Sequence, residues 1–451
     1  MLETKKTITY MAVALVVMLL AFITAPERIT PDAFLDQGEV FFPDFSDPNE
    51  ATTLEVIDFD ETTATARAFK VTFSNGRWTI PSHHDYPADG KERLAKTAAG
   101  VIDIGKDDFR SDNVSDHERL GVINPLDETA GLPGRGKRIT IKGAGNQALA
   151  DLIVGKEVEG RQGFRFVRIP DQNRVYSSRI DVDISTKFED WIETDLLKAQ
   201  KHRIVKVAVK DYSINERTRS VDQRDYFVLS RDGDVWSADK MSGNQKVDST
   251  NMEGLLATLD ELMIVGVRPK PPGLSAGLAR DGGTQSISQA DAVSLSSKGF
   301  YFSRDGQLLS NEGEIEVFTK DGVSYTLRFG EVVYGTGDAV TAGGDENAQD
   351  QTGPAENRYL FITAEFDPSA FPEPEPPDNK AFLEKADSLR TDADRENSRQ
   401  QAAHERWQKD MDDGKALAEE LNARFARWYY VISAASYEKL RLTRKDLVVR
   451  K

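Results

Sequence analysis

Gly131-Leu132-Pro133-Gly134-Arg135-Gly136-Lys137-Arg138 has the spacing of a phosphate-cradling loop up to its last position, where magnesium requires a Ser or Thr hydroxyl and the chain has Arg138. The next run, RITIK, reads as a strand, whereas a phosphate site needs a helix N-terminus behind the loop. Gly273-Leu274-Ser275-Ala276-Gly277 fits the pattern of a hydrolase nucleophile elbow, but an elbow needs a buried strand before the serine and a helix after it. This one stands between Pro271-Pro272 and Asp281-Gly282-Gly283, and the single histidine downstream, His404, belongs to a polar stretch. His83-His84-Asp85 is the densest metal-like cluster, yet adjacent histidines on an extended chain point to opposite sides and no third histidine is near. Asp410, Asp412 and Asp413 before Gly414 lack the alternating carboxylates and distal Glu of a calcium loop. No position is therefore assigned as catalytic, cofactor-binding or metal-ligating, and the chain reads as no enzyme.

Cysteine is absent, which excludes thiolate nucleophiles, disulfides and Cys-ligated metal centres together. The formal net charge of -17 repels phosphate backbones and anionic headgroups, so nucleic acid is not an expected partner. At 451 residues the chain can hold two to four cores of ordinary size.

The elements that must position any site begin with residues 7–25 (TITYMAVALVVMLLAFITA), which carry no charge. As a helix they reach about 28 Å, close to a bilayer's hydrocarbon thickness. Lys5 and Lys6 precede the run, and Glu27, Asp32 and Asp36 dilute Arg28 after it, so the positive-inside bias keeps residues 1–6 in the cytoplasm. The expectation is a single-pass inner-membrane protein with its bulk on the periplasmic side. A cleaved signal peptide is the rival, opposed by the length of the run and by Pro26 after Ala25.

Residues 26–53 read as a spacer whose aromatics dock on the first folded module. Phe69, Val71 and Phe73 alternate before a turn at Asn75-Gly76 and Trp78, a hairpin signal, and residues 88–104 carry apolar positions at helical spacing. A strand meander then leads to a helix expected over 186–197. The order recurs after residue 201, with a turn at Asp232-Gly233, Trp236 and a helix over 249–265, then a further set of strands. The reading is α+β: duplicated strand-meander-plus-helix modules over 54–199 and 201–451, with Trp78 and Trp236 as plugs sealing each hairpin against its helix. Residues 270–291 and 336–356 read as linker and mobile loop. Residues 378–427 read as a helix-rich arm, coiled-coil-like in composition, that projects as a hairpin or long arm with Gly414 near a bend; it either meets a partner or is a solvated helix paired only with its own domain.

With those residues in view the chain resembles the domain-of-unknown-function 4340 family. The resemblance rests on NGRWTIPSHHDYPAD, DGDVWSADK, LADLIVGKEV and GQLLSNEGEIEVFTKDGVSYTLRFG. It implies no catalytic residues and no cofactor. It implies a membrane-anchored extracytoplasmic accessory or scaffold subunit working with the polytopic permease and ATPase of an ABC-type transporter. Two alternatives stand beside it: an envelope protein binding glycan or peptide, and a hydrolase without a familiar motif.

Overall fold

The computed structural model describes residues 10–11, 13–18, 36–180, 182, 184–215, 217–218, 220–275, 288–303, 306–334, 338–341 and 356–451. They divide into two units, Met1–Lys70 with Lys91–Ile184, and Val71–Gly90 with Ser185–Lys451.

In the first unit, Thr53–Asp60 buries Leu54 and Val56 completely, at the two-residue spacing that puts side chains on one face of a strand. It pairs antiparallel with Lys137–Lys142, the first of four meander strands, with Val56 opposite Ile139. Ala148–Glu157, Phe164–Arg168 and Val175–Arg179 come next in turn. The last of these pairs with Asp108–Ser111 at the edge. The helix Lys91–Ile102 buries Leu94, Ala98 and Val101 completely, at the spacing of one helical face. The preceding chain docks here through Phe41 and Phe45, both buried, with the Phe41 ring edge-on to Tyr176 at 5.5 Å.

In the second unit the sheet order is Val235–Ala238, Ser220–Asp232, Ile204–Asn215, Glu314–Thr319, Val323–Val333, Asn357–Phe366, Trp428–Ile432 and Ile264–Pro269. Both sheets share one winding. The opening strand pairs with the first meander strand, and the strand after the helix returns to the far edge beside the last.

The expected α+β architecture is corrected: antiparallel sheet dominates, and strands carry most of the core. The helix expected over 186–197 is one 3₁₀ turn, Phe188–Trp191. Phe188, Trp191, Leu196 and Leu197 are each at most 1% exposed, and as a helix they would point to all sides, a burial that no single helical face could supply. The transmembrane helix and the inner-membrane placement are corrected too. Residues 10–11 and 13–18 are helical, the rest of 7–25 lies outside the described residues, and no described helix is long and apolar enough to cross a membrane. Residues 1–6, most of the linker over 270–291 and most of the loop over 336–356 also lie outside the described residues. Lys270 and Leu274, at the start of that linker, are buried.

The projecting arm is corrected to one unbroken helix, Asp392–Phe425, which lies along Asn357–Phe366. Its start is fixed by a capping box between Thr391 and Asp394 and by Lys385, 2.7 Å from Asp394. Its partners are strands and the segment before it, so it is a sheet-docked helix and not a coiled coil. Gly414 marks no bend. A Cβ there would collide with the Asp321 carbonyl oxygen and stand 2.8 Å from Phe366 Cε2, so the glycine lets the helix approach the sheet.

Helix propensity alone would make Gly414→Ala stabilising by about 1 kcal/mol. Overpacking against Asp321 and Phe366 predicts the opposite sign, a loss of about 1–3 kcal/mol in urea unfolding. A gain in stability would restore the bend.

Candidate functional site

The chain has to leave the long helix and enter Trp428–Ile432 within two residues, and that junction gathers the groups of greatest chemical interest. Phe425 is the last helical residue, so its carbonyl has no helical partner. Lys270, directly after the edge strand, donates its backbone N–H to the Arg427 carbonyl at 2.8 Å and its Nζ to the Phe425 carbonyl at 3.0 Å. The ammonium lies 3.6 Å from the centre of the Phe361 ring and 5.5 Å from that of Tyr429. Burial holds its pKa well below the ordinary lysine value, and Arg328 adds to the effect. The helix C-terminus and the ring faces favour the cation in turn. The amine is thus an internal cap for the helix.

Beside this junction lies a cleft of about 570 Å³, within the range of small-ligand sites. Tyr86 and Trp428, whose rings meet edge-on at 5.1 Å, form its apolar wall. Lys198 pairs with Glu420 at 2.8 Å and Arg424 with Glu193 at 3.5 Å, while Arg427 and Asp89 are exposed along the same lining. Sequence reasoning missed Lys270 and Arg427, because KPP reads as the start of a linker. The available signal was the apolar strand run directly before it, IVGVRP.

The motifs singled out in the sequence have other uses. In the phosphate-loop look-alike, the Arg135 guanidinium donates to the carbonyls of Pro125 at 2.7 Å, Asp127 at 2.6 Å, Ala130 at 3.0 Å and Gly131 at 3.1 Å. The loop turns carbonyls inward around its own cation, whereas a phosphate needs N–H groups turned inward. Ser275 ends a helical stretch over 272–275 and is 3.4 Å from the Lys270 carbonyl oxygen, not its amine. Asp291, buried nearby, accepts from Ser288 as a helix cap. His404 stands 3.5 Å from Glu373. These groups form no charge-relay chain among the described contacts.

His83 and His84 part company, although the chain there is a 3₁₀ turn, Pro81–His83, and not extended. His83 is buried, stacked on Phe188 at 4.6 Å, with its ring nitrogens 3.0 Å from Ser82 Oγ and 3.0 Å from Thr341 Oγ1. His84 and Asp85 are exposed, both with left-handed φ near +58° and +57°. Among the described residues no group of three metal-ligating side chains occurs. Asp410, Asp412 and Asp413 are exposed within about one turn of the long helix. Trp78 and Trp236 are only half-buried, and the tryptophans that fill cores are Trp191 and Trp428.

Fold and site together define an antiparallel two-unit β protein whose polar residues are engaged in packing and capping. The family described as Domain of unknown function (DUF4340) matches residues 78–277. That match covers less than half of the chain and is in keeping with the resemblance carried by NGRWTIPSHHDYPAD, DGDVWSADK and LADLIVGKEV. No curated protein and no solved structure matches the chain.

Burial pushes the His83 pKa down to about 4, with His84 and Arg268 adding to it. The unfolded chain, with an ordinary histidine, then binds the proton more readily. The contribution is fully present above about pH 6.5 and is lost as pH falls toward 4, by about 3 kcal/mol. His83→Gln, which keeps a hydrogen-bonding side chain without the charge change, should flatten the difference in unfolding free energy between pH 7 and pH 4.5 relative to the unaltered protein. Parallel pH profiles for the two would show that His83 is not the titrating group.

Proposed function

We propose that the chain is a non-enzymatic interaction subunit that works with the permease and ATPase of an ABC-type transporter. The observation that carries this reading is the long helix Asp392–Phe425. One face lies on the sheet through Ala418, Leu421 and Phe425, and the other presents a charged row that includes Arg395, Arg399 and Arg406. Among the described residues Arg395 and Arg399 form ion pairs only with acids three residues away, Asp392 and Glu396, and such exposed pairs contribute little to folding. A stiff charged row of this length is suited to orienting a protein partner, because complementary charge sets register and on-rate. The DUF4340 match over residues 78–277 supports the reading through the partners that the resemblance implies.

A second reading is favoured by the cleft at Tyr86 and Trp428: binding of a small peptide or glycan. Exposed Arg427 and Asp89 offer one group of each charge to such a ligand, beside an aromatic wall.

The test is capture of the tagged full-length protein from its native cells in mild detergent, followed by identification of what travels with it. Permease and ATPase subunits are expected. Changing Arg395, Arg399 and Arg406 together to Glu should cut their recovery at least fivefold with the melting temperature unchanged. Capture of neither subunit, or equal capture by the triple variant, would defeat the proposal.

A further inference from the structure

Thr65–Ser74 and Arg77–Ile80 pair with Ser74 opposite Arg77, so Asn75 and Gly76 alone make the turn between them. Both take left-handed φ, +53° and +77°, as a two-residue hairpin turn of Asn-Gly requires. The second hairpin pairs Asp232 with Val235 and turns through Gly233 and Asp234, which bring no side-chain amide.

Asn-Gly occurs once in the chain. Asparagine is among the thermolabile residues, because its side-chain carbonyl carbon is open to attack by the backbone nitrogen of the next residue. A glycine in that next position adds no Cβ to crowd the attack. Here Asn75 and Gly76 are both exposed, and a Cβ built on Gly76 would meet nothing within 4 Å. Neither the Asn75 amide nor the Gly76 N–H has a hydrogen-bond partner among the described residues. Other asparagines are held: Asn422 by the Ala364 backbone, Asn397 by the Asp378 N–H at 2.9 Å, and Asn251 by the Asp446 carbonyl at 2.7 Å. The turn has to open for the reacting atoms to meet. The ladder that holds it shut is short, three residue pairs from Thr72–Thr79 to Ser74–Arg77, so local opening costs far less than unfolding.

We propose that Asn75 is a site of spontaneous deamidation. The Gly76 nitrogen attacks Asn75 Cγ and a C–N bond forms. The side-chain nitrogen leaves as ammonia, taking the Gly76 proton, and a five-membered imide remains. Water then opens the ring at either carbonyl, which gives aspartate or isoaspartate and one added negative charge. Water is the one co-reactant, and nothing is oxidised or reduced. In the isoaspartate form the main chain gains a carbon inside a turn whose length sets strand register, so the pairing of Arg77–Ile80 loosens. Ile80 pairs in turn with Tyr86, the wall of the cleft described above.

The test incubates the full-length protein at pH 6 and at pH 8.5 and follows the tryptic peptide of residues 71–77 (VTFSNGR) by mass. A gain of one mass unit is expected, with two separable products, at least tenfold faster at the higher pH, where the attacking amide loses its proton more readily. The gain should also be at least tenfold faster than at Asn251, Asn397 or Asn422. An isoaspartyl methyltransferase should label one product, and Asn75→Gln should abolish both signals with the melting temperature unchanged. No gain at residues 71–77 over a period that converts the free peptide VTFSNGR completely, or an equal gain at the three held asparagines, would overturn the proposal. The outcome is independent of partner capture, since the reaction needs no partner.

Discussion

The pairing of Ile264–Pro269 with Trp428–Ile432 is the constraint on which the second unit depends. More than 150 residues separate the two strands in sequence, so their pairing closes a loop that holds the whole meander and the long helix. Loop-closure entropy makes such a contact slow to form, and only burial on both sides can hold it. Each residue from Trp428 to Ile432 is buried. A strand with both faces covered has no polar side to slip onto, which fixes its register. Once it is fixed, Trp428 lies opposite Pro269, and Lys270 is delivered to the end of the helix whose carbonyl it caps.

That cap belongs to a wider pattern. Several buried or half-buried cations are tied down by main-chain carbonyls, Arg444 with carboxylates besides. Arg168, 6% exposed, donates to the carbonyls of Val122 at 2.9 Å, Pro170 at 2.6 Å and Gln172 at 2.9 Å. Arg135 gathers four carbonyls, and Arg444 reaches those of Asp239 at 2.8 Å and Tyr226 at 3.2 Å. The physical reason lies in the topology. Long excursions between meander strands bring carbonyls inward that no ladder can pair, and leaving them unpaired costs about 1–3 kcal/mol each. A guanidinium supplies five donors in a plane, enough to tie one excursion together. The same residues explain why basic motifs in this acidic chain look like binding sites from sequence and are structural fasteners in the fold.

How much of the fold was legible in the sequence depends on how local each signal is. Hairpins at Asn75-Gly76 and Asp232-Gly233 are set by turn chemistry within four residues, and the helices Lys91–Ile102 and Ser249–Asp260 by spacing within a dozen. The positions that composition misread are those whose surroundings come from far away. Gly414 looks like a helix breaker until Asp321 is seen against it, and Lys270 looks like linker until Phe425 arrives above it. Trp191 sits in a stretch of fair helical spacing, yet burial of its whole ring wins over that propensity. The candidate cleft was illegible for the same reason, because its lining joins residues 86–89, 193–198 and 420–428.

The DUF4340 stretch, residues 78–277, begins within the strand Arg77–Ile80 and ends after Ile264–Pro269. Its boundaries therefore do not coincide with a sheet. Thr53–Asp60, which opens the first unit's sheet, lies before it, and Glu314–Thr319 through Trp428–Ile432, which fill most of the second, lie beyond it. A piece cut at those limits would leave Ile264–Pro269 without its ladder partner and Ile204–Asn215 with one free edge, each a row of unpaired N–H and C=O groups. Sequence kinship thus marks a stretch that holds the second hairpin and only the return strand of the first, while strands outside it complete both sheets. Function assigned to the matched stretch has to be read on the complete sheets, because the cleft beside Trp428 relies on elements that those strands hold in place.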